Sequence, residues 1–101
     1  MNVLTIDTSQ QRLVKVSVDR EGKHFGKEHE QEFGSQVLIN LLQDVLRDAK
    51  LELRDLNEIK VAKGPGSYTG LRVGAAVANA LGYSLGIPVN GEKMEVDLEY
   101  A

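Results

Sequence analysis

Hydrophobic and polar positions alternate across residues 13–19, where Val14, Val16 and Val18 interleave with Lys15, Ser17 and Asp19. That period of two predicts a strand with one buried face. Ahead of it, Val3-Leu4-Thr5-Ile6-Asp7-Thr8 is a nearly continuous apolar and β-branched run, the pattern of a largely buried strand. Ser9-Gln10-Gln11-Arg12 breaks the two apart and reads as the loop of a hairpin. After the turn signal Arg20-Glu21-Gly22-Lys23, residues 24–33 read as a third, polar strand, whose many acids suit a sheet edge.

From Ser35, the expected N-cap, the period becomes helical: Val37, Leu38, Ile39, Leu41, Leu42, Val45, Leu46 and Ala49 follow at the spacing of one helix face. At about 100° per residue they cover roughly 200°, wider than the stripe a single sheet needs. Two readings fit, a core helix tucked under its own loops or a helix whose spare flank meets another molecule. Residues 51–57 form a polar connection, 58–62 a short strand, 71–85 a second helix ending near Gly86, and Ile87-Pro88-Val89 a last short strand. Strand, helix and strand at this spacing make a βαβ unit with a parallel pair. The order is βββαβαβ, an α/β chain with a mixed sheet flanked by two main helices. In the second helix Gly70, Gly74, Ala78 and Gly82 recur every four residues. Glycine in a helix interior costs about 1 kcal/mol relative to alanine, so the row implies a close neighbour. That neighbour is either the first helix or a helix from a partner. Met94, Val96, Leu98 and Tyr100 alternate with charged residues, so residues 91–101 read as an acidic tail that either adds a strand or frays.

Composition narrows the field. The 101 residues suit one domain, and no apolar run approaches the roughly 20 residues of a membrane span. The start of the chain lacks the basic, then apolar pattern of a leader, which makes the cytoplasm the expected location and a membrane partner unexpected. The absence of cysteine excludes disulfides, thiolate nucleophiles and thiolate metal sites. A net charge of −3 argues against autonomous nucleic-acid binding, which needs clustered Lys and Arg.

Between the strand at 58–62 and the second helix lies Gly64-Pro65-Gly66-Ser67. Amides at a helix N-terminus favour anions, yet the segment has neither the Lys-Ser/Thr pair of a P-loop nor the dinucleotide fingerprint. Gly64, Gly66 and Ser67, with Asp7 and Thr8 at the end of the first strand, are candidates for a weak nucleotide or phosphate contact. Set against this are a tight turn at Pro65-Gly66 and an Asx-type turn at Asp7. His24 and His29 fall on opposite faces of a strand, so no metal site is expected. No serine has an evident base, and no catalytic residue is expected.

Ile6-Asp7-Thr8-Ser9, Gly34-Ser35-Gln36-Val37-Leu38 and above all residues 64–74, GPGSYTGLRVG, together resemble the TsaB (YeaZ-type) family of the bacterial tRNA threonylcarbamoyladenosine machinery. The resemblance extends over almost the whole chain as far as Val89. It implies one lobe of the actin-like (ASKHA, ribonuclease H-like) architecture across residues 1–90. It further implies a non-catalytic scaffold subunit that binds a TsaD-like catalytic protein and, with a TsaE-like ATPase, supports threonylcarbamoyl transfer to an adenosine beside the tRNA anticodon. This chain would then hold no cofactor; ATP, threonylcarbamoyl-AMP and a metal would belong to the partner complex, and tRNA would be reached only through it. The interface carried over is Leu38, Leu42 and Val45 on the first helix and Leu71, Gly74, Ala75, Ala78 and Gly82 on the second. Two departures stand out: Gly34 occupies a place where many relatives have His, and the second lobe of a typical relative is absent. Two rival functions remain open, a nucleotide-binding ATPase half-site around Asp7 completed by dimerisation, and a homodimeric regulator using the same helices.

Overall fold

The alternating valines become the second of three antiparallel strands in the computed structural model, which describes residues 1–30 and 34–93. Strands β1 (Asn2–Asp7), β2 (Leu13–Arg20) and β3 (Lys23–Glu30) precede helix α1 (Ser35–Ala49), a 3-10 turn (Leu53–Asp55), β4 (Glu58–Val61), helix α2 (Tyr68–Leu85), β5 (Pro88–Val89) and β6 (Glu92–Lys93). Among the described residues the sheet has six strands in the order β3-β2-β1-β4-β5-β6. β1 runs antiparallel to β2 and parallel to β4, and β4 runs parallel to β5, so the sheet is mixed as the βαβ reading requires.

Register gathers the apolar positions on one face. Leu4 lies opposite Val18 and Ile59, and Ile6 opposite Val16 and Val61. These residues form one buried cluster with the inner faces of both helices, α1 over β2 and β3, and α2 over β4, β1 and β5. Burying each aliphatic side chain contributes roughly 1.5–3 kcal/mol, which is why the register is held. The alternate positions, Thr5, Lys15, Ser17 and Lys60, turn to the other face, which no element covers among the described residues. β1 is therefore covered on one face only, because both crossover helices lie on the same side.

Several boundaries differ from the sequence reading. Gly34, not Ser35, is the N-cap of α1, and no side chain caps that end. α2 starts at Tyr68, earlier than expected, because Ser67 serves as N-cap and accepts the Gly70 amide at 3.3 Å. β3 ends at Glu30, and the rest of the expected third strand lies outside the described residues. A sixth strand, Glu92–Lys93, folds back on β5 through Asn90-Gly91, both at positive φ. The alternation from Met94 onward lies outside the described residues.

The wide apolar arc of α1 is used mainly by its own chain. Leu38, Leu41, Leu42, Val45, Leu46 and Ala49 are all buried, whereas Ile39 stands outside at 38 % exposure. Its C-terminal end is tied to the sheet by Arg20 Nη1 donating to the Ala49 carbonyl at 2.7 Å and by Lys27 paired with Asp48 at 3.4 Å.

Candidate functional site

The end of β1 and the start of α2 meet at a single point. Thr8, fully buried, donates its hydroxyl to the Gly70 carbonyl at 2.6 Å. One turn further along, a methyl group on Gly74 would collide with Thr8 Oγ1, so that position takes glycine. In the turn before the helix, the Ser67 amide donates to the Ser9 carbonyl at 2.7 Å, and a Cβ at Gly66 would run into that same carbonyl. Gly64 has φ +115 and is joined to Pro65 by a cis peptide bond. The glycine-rich segment thus closes tightly on the β1–β2 loop.

These contacts occupy several of the groups named as candidates for a phosphate contact. The Ser67 amide is bonded to Ser9, the Gly70 amide to the Ser67 hydroxyl, and Thr8 to Gly70. Asp7 Oδ1 accepts the Ser9 hydroxyl at 2.6 Å and the Ser9 amide at 2.9 Å, the closure of an Asx turn. The hydroxyl bond is the main reason that its carboxyl is held below the ordinary value of 3.8; burial opposes the shift, and the amide bond and Lys15 assist it. So the structure brings Asp7, Thr8, Gly66 and Ser67 together around Ser9 and Gly70, with which their contacts are made. His24 lies opposite Asp19 and His29 opposite Val14, five residues apart on one strand, so their side chains leave opposite faces.

The residues expected at a helix interface differ in burial. Leu38, Leu42 and Val45 lie within the core, and Gly74, Ala78 and Gly82 are buried under α2. Only Leu71 and Ala75 are half-buried. Within the chain, the sheet supplies close packing for the small-residue row: the Thr8–Gly74 contact brings helix and strand close. The exposed positions of α2 are Tyr68, Thr69, Arg72, Ala80, Tyr83, at 61 % exposure, and Ser84, whereas Ala76 is half-buried and Val73 and Val77 are half-buried against the core. Arg72, the helix's single charged residue, stacks on Tyr68 with its guanidinium 5.4 Å from the ring centre. Ser35, Arg72, Val73, Ala76 and Val77 line a shallow hollow of about 290 Å³ between the helices. The sequence signal for this hollow was the spacing of Val73, Ala76 and Val77, set beside an equally regular glycine row.

Known proteins agree with this architecture. The family model for TsaD, tRNA N6-adenosine threonylcarbamoyltransferase, matches residues 28–93. The tRNA threonylcarbamoyladenosine biosynthesis protein TsaB of Bacillus subtilis is 36% identical over 89% of this chain and 40% of its own length. TsaB of Escherichia coli is 31% identical over 90% of this chain and 39% of its own. Among solved structures, YeaZ from Pseudomonas aeruginosa superposes with a TM-score of 0.81 at 28% identity, over 87% of this chain and 41% of that one. The chain therefore spans about two fifths of the length of these relatives.

Proposed function

We propose a function from one premise: this chain belongs to the TsaD family of tRNA N6-adenosine threonylcarbamoyltransferases, as an actin-like lobe of the TsaB/YeaZ type. In this reading it is an accessory, non-catalytic subunit in threonylcarbamoyladenosine formation on tRNA. It docks by its helices on a TsaD-like catalytic protein, and a TsaE-like ATPase joins the assembled complex. ATP, threonylcarbamoyl-AMP, the metal and the tRNA are held by those partners, in the cytoplasm. The net charge of −3 supports leaving the tRNA to them.

One observation carries the docking surface. A helix on the outside of a soluble domain ordinarily shows charge to solvent, yet α2 leaves Ala80 and Tyr83 exposed and Val73, Ala76 and Val77 half-exposed, with Arg72 as the helix's one charge. The hollow beside Val73 and Val77 suits a side chain inserted from a facing helix. The interface proposed is therefore this stripe with Leu71, Ala75 and Ile39 at its margins, in place of the buried row.

Gel filtration of the chain with the TsaD of the same organism tests it. Co-elution is the expected result, lost on Ala76→Arg, and separate elution of the two wild-type proteins overturns the scaffold reading.

A further inference from the structure

We propose that Asn90 is a modification site: deamidation at Asn90-Gly91 proceeds only when the β5–β6 turn opens, and it leaves that turn unable to close again on β4. Asn90 is the chain's one asparagine followed by glycine; the others precede Val3, Leu41, Glu58 and Ala80. A glycine amide is the least hindered nucleophile towards the preceding side chain, because no Cβ shields it. Water is the only co-reactant. The Gly91 amide nitrogen bonds to Asn90 Cγ, the Cγ–Nδ2 bond breaks, and ammonia leaves with the proton from Gly91. Water then opens the resulting cyclic imide at either carbonyl, giving aspartate or its isomer with the backbone routed through the side-chain carbons.

The fold ties down this same amide. Asn90 (φ +53) and Gly91 (φ +81) form the two-residue turn between β5 and β6, closed by the Val89–Glu92 pair, and both left-handed angles suit Asn-Gly. The ladder between β4 and β5 is a single pair, Ile59–Val89. Beyond it the Asn90 backbone amide donates to the Ile59 carbonyl at 2.8 Å, and then the side chain takes over. Its Oδ1 accepts the Val61 amide at 2.8 Å and its Nδ2 donates to the Val61 carbonyl at 3.0 Å, as a further strand residue would. These two bonds hold Cγ on β4, so attack by Gly91 waits until they break. Deamidation then removes the donor. A carboxylate there sets an oxygen against the Val61 carbonyl, two acceptors with no proton between them. The isomer lengthens the backbone of a two-residue turn and shifts Val89 off Glu92. Either product releases β5–β6 from β4, independently of the function proposed above.

Peptide mass spectrometry of the chain kept at mildly alkaline pH tests the gate. Conversion should occur at Asn90 before any other asparagine. It should be roughly tenfold or more slower in the folded chain than in urea, since an opened conformation holds about 10 % or less of the population. Equal rates with and without urea, or earlier conversion at another asparagine, overturn the proposal. Asn90→Asp should speed amide hydrogen exchange at Val61 and at position 90 while the β1–β2 amides keep wild-type protection. Wild-type exchange at Val61, or loss of protection throughout the sheet, overturns the local release.

Discussion

Thr8 and Gly70 are 62 positions apart in sequence, yet the Thr8 hydroxyl donates to the Gly70 carbonyl at 2.6 Å inside the protein. This bond fixes how far along β1 the helix α2 begins and which of its sides meets the sheet. A residue read from sequence as a phosphate candidate is a clamp between two elements.

Gly74→Ala should therefore destabilise the fold by about 1–3 kcal/mol, since its methyl meets Thr8 Oγ1. In a Thr8→Ala background the same change should cost less than half as much. Urea melts of the four proteins in this double-mutant cycle give the coupling, and strictly additive losses would refute the contact.

Gly66→Ala is expected to lower the unfolding midpoint even though Gly66 is exposed, because the added Cβ strikes the Ser9 backbone carbonyl and backbone cannot swing aside. The Ser67–Ser9 hydrogen bond should open with it, visible as faster amide exchange at Ser67. Protection equal to wild type contradicts this.

Two alanines on α2 should separate folding from docking. Ala78 has no exposure, so Ala78→Trp should abolish the cooperative melt. Ala76→Arg, on the half-exposed stripe, should leave the melting temperature within a few degrees of wild type and remove TsaD binding. Normal folding of the tryptophan variant would mean that the small-residue row is not packed on the sheet.

Asp7 supplies a pH dependence. Its folded carboxyl lies below the ordinary 3.8, so its contribution to stability is fully present above that value and is lost as pH falls through the lower, folded value. The stability gap between wild type and Asp7→Asn, read from urea midpoints, should narrow on acidification from neutral pH. A gap that widens towards acid would reverse the assignment.

Much of the fold was legible in local pattern. Val14, Val16 and Val18 announced a half-covered strand, and the run from Val37 to Ala49 an amphipathic helix, because a single burial boundary imposes periods of 2 and 3.6. The facing of α2 was harder to read, because two rows on it compete. Gly70-Gly74-Ala78-Gly82 and Val73-Ala76-Val77-Ala80 are both small, apolar and regularly spaced, and periodicity cannot say which faces inward. The cap at Ser67 was missed, and the strand at Glu92–Lys93 was only one of two readings of the tail, because each spans only a few residues, too short for a period to declare itself.

By itself the sequence determined the element order, the parallel βαβ unit and the family, since these follow from local spacing and from the segment at residues 64–74. Tertiary structure alone decided what that segment does and which side of α2 is free. Thr8 can occupy only the space that glycine leaves at position 74, and a steric constraint between residues so distant in the chain leaves no trace in the period of either element.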